Sequence, residues 1–176
     1  MKKAVLPIIA AVIVCIAVVV IMIVPRGGSE QTAEMDLQGE SAVQASVSYA
    51  DTDEDGNFFI PASSLSQDQV QFVRLSDDSK IELIARIGDD GTPKVALGTC
   101  QSCNGAPGAF YSQEGDIIQC NNCGLTFELG VIDAPGDGCH PISIDESLVS
   151  TDENGITLQA DGILYYEELF ADVAEH

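Results

Sequence analysis

The sequence predicts a mainly β protein: an N-terminal transmembrane helix, a small antiparallel β domain with two Cys-x-x-Cys loops, and a short C-terminal helix. Three observations carry this prediction. An apolar run from Ala4 to Val24, interrupted only by Pro7, opens the chain. Short β-forming stretches separated by Asp-Gly and similar turn signals fill most of the remainder. Two Cys-x-x-Cys pairs, Cys100/Cys103 and Cys120/Cys123, interrupt these stretches in the second half of the chain.

The apolar run comes first. A bilayer span takes roughly 20 apolar residues in a helix, and Ala4–Val24 supplies that length. A cleavable signal peptide has an h-region of only about 7–15 residues and a small-residue cleavage site. Here the run is longer and ends in Val24-Pro25-Arg26. Cys15 sits in its middle, where a lipid-modified cysteine would not open a mature chain. No face of the run is polar, which argues against a buried globular helix. It reads as an uncleaved anchor over residues 1–26. Lys2 and Lys3 stay cytoplasmic and place the C-terminal domain outside, as a single-pass membrane protein. Residues 27–44 are polar, contain Gly27-Gly28-Ser29 and read as a flexible tether. Residues 45–176 form one acidic extracytoplasmic domain, with its cysteine loops at 98–142.

Charge narrows the partners. The chain carries a net charge of −21, and all 28 acidic residues follow Arg26, against only Arg74, Lys80, Arg86 and Lys94. No Lys or Arg follows Lys94. Such a surface cannot neutralise phosphates, so nucleic acid is excluded. Anionic headgroups are repelled as well. Metal ions or a cationic redox partner are favoured, and solubility or adaptation to salt accounts equally well for most of the charge.

Within the domain, Val47-Ser48-Tyr49 and Phe58-Phe59-Ile60 flank a turn containing Asp55-Gly56, a hairpin signal. Val70–Leu75, Ile81–Ile87 and Lys94–Leu97 follow as strands, the last delivering the chain to Cys100. Ile117-Ile118 and Leu125–Phe127 are predicted as strands around the second pair, then Ile142–Ile144 and Ile156–Leu158. Ile163, Leu164, Leu169, Phe170 and Val173 share a helical stripe, predicting one short helix that packs on the sheet. Asp51–Gly56 opens like a calcium loop, with oxygens at alternate positions and Gly at the bend. Its twelfth position is Ala62 rather than Glu and no helix flanks it, so it reads as a solvated hairpin turn.

The cysteines carry the chemistry. Sixteen residues separate Cys100/Cys103 from Cys120/Cys123, within the spacing of metal sites. A Cys-x-x-Cys knuckle turns two thiolates toward one centre while later backbone N–H groups face the sulfurs. Gly105 and Gly124 follow the knuckles, and glycine tolerates the positive φ that aims an N–H at the site. Such hydrogen bonds stabilise thiolate charge and tune a potential. A disulfide framework fits poorly. With Cys139 the domain has five cysteines, an odd number, and Cys-x-x-Cys disulfides close loops too short to stabilise much. Four thiolates also suit a structural zinc ribbon, so the spacing leaves zinc and iron open. A thiol–disulfide exchanger would need one low-pKa cysteine, which acidic surroundings disfavour.

Several segments together resemble the FtrD-like family of membrane iron–sulfur proteins. They are Val95–Cys103, Tyr111–Asp116 and Cys120–Phe127 (Cys120-Asn121-Asn122-Cys123-Gly124-Leu125-Thr126-Phe127). They end with Asp137-Gly138-Cys139-His140-Pro141-Ile142, where the family has a Gly-Gly-Cys-Asn-Pro-Ile run. The resemblance covers roughly residues 60–145. It implies an iron–sulfur cluster, with Cys100, Cys103, Cys120 and Cys123 as ligands and Cys139 as a further ligand or a lining residue. It further implies electron transfer or iron handling linked to iron uptake, alongside a redox partner or a membrane iron permease complex. Asp137, His140 and the single span depart from the family pattern. The cysteine loops and the third loop Pro135–Gly138 also resemble a Rieske domain, but a Rieske centre uses two His on one iron, and here both pairs are cysteines. Adjacent residues rarely reach one metal together, so His140 reads as a surface or supporting residue, and His176 as free. The reading is an electron carrier or metal-handling module rather than a stand-alone enzyme. The alternative is a zinc-stabilised interaction domain with no redox role.

Overall fold

The computed structural model describes residues 47–133 and 136–174. The predicted anchor at 1–26 and tether at 27–44 lie outside the described residues, as do Cys15, Pro135 and His176. Among the described residues, no helix is long and apolar enough to cross a membrane.

The first six strands are β1 (Ser48–Tyr49), β2 (Asp51–Thr52), β3 (Phe58–Pro61), β4 (Gln71–Arg74), β5 (Glu82–Ile87) and β6 (Pro93–Cys100). There follow β7 (Tyr111–Glu114), β8 (Ile117–Cys120), β9 (Thr126–Glu128), β10 (Pro141–Ile142), β11 (Val149–Thr151) and β12 (Gly155–Leu158). They form a five-stranded sheet of order β1-β4-β5-β6-β10, a four-stranded sheet β11-β12-β3-β2, and a three-stranded sheet β7-β8-β9.

Strand alternation explains how one sheet supports two cores. In the β5–β6 ladder Leu83 stands opposite Leu97, and Ile84 opposite Ala96. Successive side chains point to opposite faces. Leu83, Ala85 and Leu97 therefore pack on one side with Ile60, Ile156, Leu158, Ile163 and Phe170. Ile84, Ala96 and Cys100 face the other side and pack with Tyr111, Ile118, Cys120 and Leu129. A strand covered on both faces reads as a nearly continuous apolar run, as Ile81–Ile87 does. Each fully buried Leu or Ile here stabilises the fold by roughly 1.5–3 kcal/mol. The same parity that buries Ala96 aims Cys100 into the second core.

Four local expectations are corrected. The hairpin keeps its Asp55-Gly56 turn, but its first arm is Asp51–Thr52, with Thr52 opposite Phe58. Asp53 closes a wider loop, its N–H donating to the Asn57 carbonyl (2.9 Å) and its carboxylate accepting the Asn57 N–H (2.8 Å). Ser48–Tyr49 is released to pair with β4, and in parallel. Strands β7 and β11 were not predicted, and Ile144 lies beyond the end of β10. The single tail helix is one α turn at Ala160–Ile163 followed by a 3-10 segment at Leu164–Phe170. The tighter winding breaks the 3.6-residue stripe: Ile163 and Phe170 are buried, while Leu164 is 47% exposed.

The acidic loop at 51–56 uses its oxygens internally. Asp53 Oδ1 accepts from the Asp55 N–H (3.0 Å) as well as from Asn57, and Oδ2 accepts from the Asn57 side chain (3.2 Å). These bonds, the Asn57 N–H foremost, hold the Asp53 carboxyl below its ordinary range. This is a hairpin turn.

Candidate metal centre

Each cysteine pair sits where a strand ends. Strand β6 carries Cys100 at its last position, and the chain then winds tightly, with the Cys103 N–H on the Cys100 carbonyl (3.2 Å) and the Ala106 N–H on the Cys103 carbonyl (3.0 Å). Gly105 supplies the turn at φ +88°. The loop closes through the Cys100 N–H and the Thr99 hydroxyl, both donating to the Ala109 carbonyl (3.0 and 2.8 Å). The second pair repeats this logic at the β8–β9 hairpin. There the Cys120 N–H donates to the Leu125 carbonyl (2.9 Å), and the Gly124 N–H returns to the Cys120 carbonyl (2.8 Å).

Three contacts bring the loops together. The Asn121 backbone and side-chain N–H groups both donate to the Phe110 carbonyl (2.9 and 3.2 Å). Gly108 permits the approach, since a Cβ there would lie 3.1 Å from the Asn122 Cα. The third loop is clamped on the first. The Gln101 N–H donates to the His140 carbonyl (2.9 Å) and the Ser102 N–H to the Gly138 carbonyl (3.2 Å). That clamp delivers Cys139.

The result is a convergence of five free thiols. The sulfurs of Cys100, Cys103 and Cys139 lie within 4.8 Å of one another, as do those of Cys103, Cys120 and Cys123. Cys103 belongs to both trios, and the Cys123 and Cys139 sulfurs are 3.6 Å apart. Cys100 and Cys120 are fully buried, while Cys123 reaches the surface.

Peptide N–H groups face the sulfurs. Those of Asn122 and Cys123 address Cys120, that of Cys103 addresses Cys100, and that of Leu125 addresses Cys123. The expected donor, Gly124, instead makes the turn at φ +73° and spends its N–H on a carbonyl, so the residue after the glycine does the donating. The Leu125 N–H draws the Cys123 thiol down to about 7. The acidic surroundings were expected to raise the thiols; at Cys123 the adjacent peptide N–H lowers it, and what opposes that is burial. Burial pushes Cys120 up to about 12. The hydrogen bond with Cys123, then burial, pushes Cys139 up to about 12. At Cys100 burial pushes upward, but hydrogen bonds from Tyr111 and the Cys103 N–H prevail and lower it.

His140 does not join the sulfurs. Its Nδ1 lies 2.9 Å from the Asp137 carbonyl, and its ring packs 5.1 Å from that of Phe127. A Cβ at Gly136 would strike that ring at 2.5 Å, so the glycine makes room for it. Among the described residues, the side-chain groups close enough to share an ion are cysteines alone.

Sequence reasoning missed three supporting residues. Tyr111 is buried opposite Cys120 on β7, and its hydroxyl donates to the Cys139 carbonyl (3.0 Å). Burial and the neighbouring thiolates hold its phenol far above the ordinary range. Gln113 bridges the small sheet to the main one, accepting the Val70 N–H (2.8 Å) and donating to the Asp68 carbonyl (3.0 Å). Asn104 ties the first loop to the C-terminal turn by donating to the Leu169 carbonyl (2.7 Å). Tyr111-Ser112-Gln113 stood in the family-like run, but nothing local marked its role.

The donor set suits a metal that prefers soft ligands. Thiolates select zinc, copper(I) and iron–sulfur groups over magnesium or calcium. Two thiolates bound about 2.3 Å from one tetrahedral metal stand about 3.8 Å apart. The 3.6 Å between Cys123 and Cys139 matches that separation.

Residues 65–170, well over half the chain, match the model of a family described as membrane iron-sulfur containing protein, FtrD-like. The match extends past the resemblance at 60–145 to include β11, β12 and the C-terminal turn. No curated protein and no solved structure matches the chain.

Proposed function

The chain belongs to the FtrD-like family of membrane iron–sulfur proteins, and from that premise we propose that its cysteine site holds an iron–sulfur cluster and serves electron transfer or iron handling in support of iron uptake. The observation that carries this reading is the convergence of five free thiols under peptide N–H donors. Cys100, Cys103, Cys120 and Cys123 are the ligands in this reading. Cys139, grouped with Cys100 and Cys103 and 3.6 Å from Cys123, is a fifth thiolate that can take the place of Cys123. When bound, the cluster supplies a one-electron couple. The chain's own residues set the conditions. The N–H groups of Cys103, Asn122, Cys123 and Leu125 stabilise thiolate charge, and burial of Cys100 and Cys120 excludes water from their sulfurs. The exposed edge at Cys123 is where a docked partner comes nearest to the thiolates.

The domain is extracytoplasmic in this proposal, held by the 1–26 anchor. Its partner is a cationic redox protein or a membrane iron permease complex, matched to a surface with no Lys or Arg after Lys94. A zinc ribbon would use the same two knuckles, and one experiment separates the two. The full chain, purified anaerobically in detergent, is expected to show broad visible absorption, with iron and acid-labile sulfide in matching amounts. A colourless protein with one zinc per chain, unchanged after anaerobic reconstitution with iron and sulfide, overturns the proposal.

A further inference from the structure

The cysteine loops end in a surface unlike the rest of this acidic chain. Charged residues make up 20% of the sequence, yet none falls at 95–113 or 117–127, which hold four of the five converging cysteines. The small sheet is polarised in the same sense. Its cysteine end pairs Tyr111 with Cys120 and Gln119 with Thr126, none of them a carboxylate. Its other end pairs Ile117 with Glu114 and Glu128 and turns through Asp116. Three residues of strand, about 10 Å, separate the two ends. Further carboxylates stand at the margins: Asp137 in the third loop, and Asp172 in the tail that the Ala174 N–H ties to the Pro107 carbonyl (2.8 Å). Leu125 belongs to the uncharged end. Its carbonyl is held by the Cys120 N–H (2.9 Å), and it is 52% exposed two residues after the exposed Cys123. An uncharged centre with an apolar residue inside a charged rim is the anatomy of an interface.

We propose that this uncharged tip is the docking face for a redox protein that presents an apolar centre ringed by Lys and Arg, with Leu125 as its contact residue. The inference rests on the iron–sulfur reading above and adds how the partner is recognised. The marginal carboxylates attract the cationic ring and speed encounter. They are absent from the contact itself, where each would have to be desolvated. Leu125 meets the partner's apolar centre beside Cys123, so the contact forms where a thiolate reaches the surface. One electron crosses there, lost by one centre and gained by the other, with no bond made or broken.

The test uses the full chain, loaded with its cluster, reduced, and held in an uncharged detergent. Two one-electron oxidants of equal charge probe the tip: tris(phenanthroline)cobalt(III), a cation with apolar faces, and hexaamminecobalt(III), a cation without them. Leu125→Gln keeps the size of the side chain and removes its apolar character. It is expected to slow oxidation by the phenanthroline complex about threefold to tenfold, the factor for covering a half-exposed leucine. Oxidation by the ammine complex should not change. The factor should persist in high salt, which screens the carboxylates but not an apolar contact. Leu164→Gln, at a leucine of similar exposure (47%) in the C-terminal turn, should alter neither rate. Equal slowing of both oxidants would place the effect on the centre itself, and equal effects of the two leucine variants would make the patch unspecific. Either result overturns the proposal, as does a factor that vanishes in high salt. A parent that self-associates, with Leu125→Gln abolishing the association and leaving both rates unchanged, assigns the face to a second copy of this chain and overturns it too. Should Leu125→Gln fail to retain the cluster, the parent decides alone. Tris(phenanthroline)chromium(III), an inert paramagnetic ion of the same shape, added to the zinc-loaded chain should broaden the amide signals of residues 121–125 before those of the acidic turns at 51–56 and 145–147. The reverse order overturns the proposal. A parent that carries zinc and no sulfide refutes the iron–sulfur reading instead, and the same broadening then decides the docking face by itself.

Discussion

Cys120→Ser is expected to abolish the visible spectrum of the loaded protein while leaving most of its β structure. Cys120 ends β8 and is fully buried, with the N–H groups of Asn122 and Cys123 aimed at its sulfur. A serine oxygen is a harder donor on a shorter side chain, so it neither reaches nor suits iron as the thiolate does. Its buried hydroxyl also faces donors that were arranged for an acceptor of larger radius. Iron content should fall by more than the about tenfold that loss of a mere supporting contact costs in metal affinity, since a ligand itself is removed. The fold should outlast the cluster. Ile60, Leu83, Leu97, Ile156, Leu158 and Phe170 form a core that contains none of the cysteines. A zinc ribbon behaves otherwise, since metal binding supplies its folding free energy, of order 10–16 kcal/mol. Circular dichroism of the variant separates these outcomes, because collapse of the far-ultraviolet signal along with metal loss would argue for a structural zinc. Cys123→Ser should be milder, with part of the colour retained, because the Cys139 sulfur lies 3.6 Å from the one removed.

The sequence made the site legible where its determinants are local. A Cys-x-x-Cys knuckle is a four-residue signal, and Cys100/Cys103 and Cys120/Cys123 could be paired from spacing alone. Strand β5 was legible because its two-sided burial leaves the apolar run Ile81–Ile87. What escaped depends on distant partners. Strand β7 was missed because Tyr111-Ser112-Gln113-Glu114 alternates weakly and is held by pairing with β8 and by Gln113 reaching Val70. The role of Tyr111 depends on the carbonyl of residue 139, which nothing near position 111 announces. The parallel pairing of Ser48–Tyr49 with β4 is invisible for the same reason, since a two-residue strand has no periodicity. Local chemistry also misled once: Gly124 was assigned the donor role that its own turn hands to Leu125. Cys139 was found through the family-like run at its loop, and the structure adds the clamp from Gln101 and Ser102 that carries it to the other sulfurs.

Glu82→Gln is expected to stabilise the protein above neutral pH and to remove one component of its pH dependence. Glu82 stands opposite Arg74 in the β4–β5 ladder and is only 6% exposed. It shares a cavity with Arg74, Lys80, Gly98, Phe110, Phe170, Val173 and Ala174. Gly98 leaves room for it, since a Cβ there would lie 3.3 Å from Glu82 Oε1. Burial drives the Glu82 carboxyl up from 4.5 to about 7, against the opposing pull of Arg74. The folded chain therefore holds this proton where the unfolded chain has released it. Unfolding free energy falls as pH rises from about 4.5 to about 7, and the loss is complete above that range. A shift of this size corresponds to on the order of 3 kcal/mol at pH 8. Glutamine mimics the protonated form and carries no such loss, while half-buried Arg74 keeps access to solvent. Asp53, Asp90, Asp145 and Asp152 are lowered by their turn hydrogen bonds, so their contribution is lost only as pH falls through the acid range, a separate window. Urea unfolding of the parent and variant at intervals from pH 5 to pH 8 reads the effect as a difference, in which the contribution of the metal centre cancels. The two should converge near pH 5, separate up to about pH 7 and stay a constant distance apart from there to pH 8, with the variant more stable. Parallel profiles would mean that Glu82 titrates alike in the folded and unfolded chains. A variant weakened at every pH would mean that its charge is needed to balance Arg74.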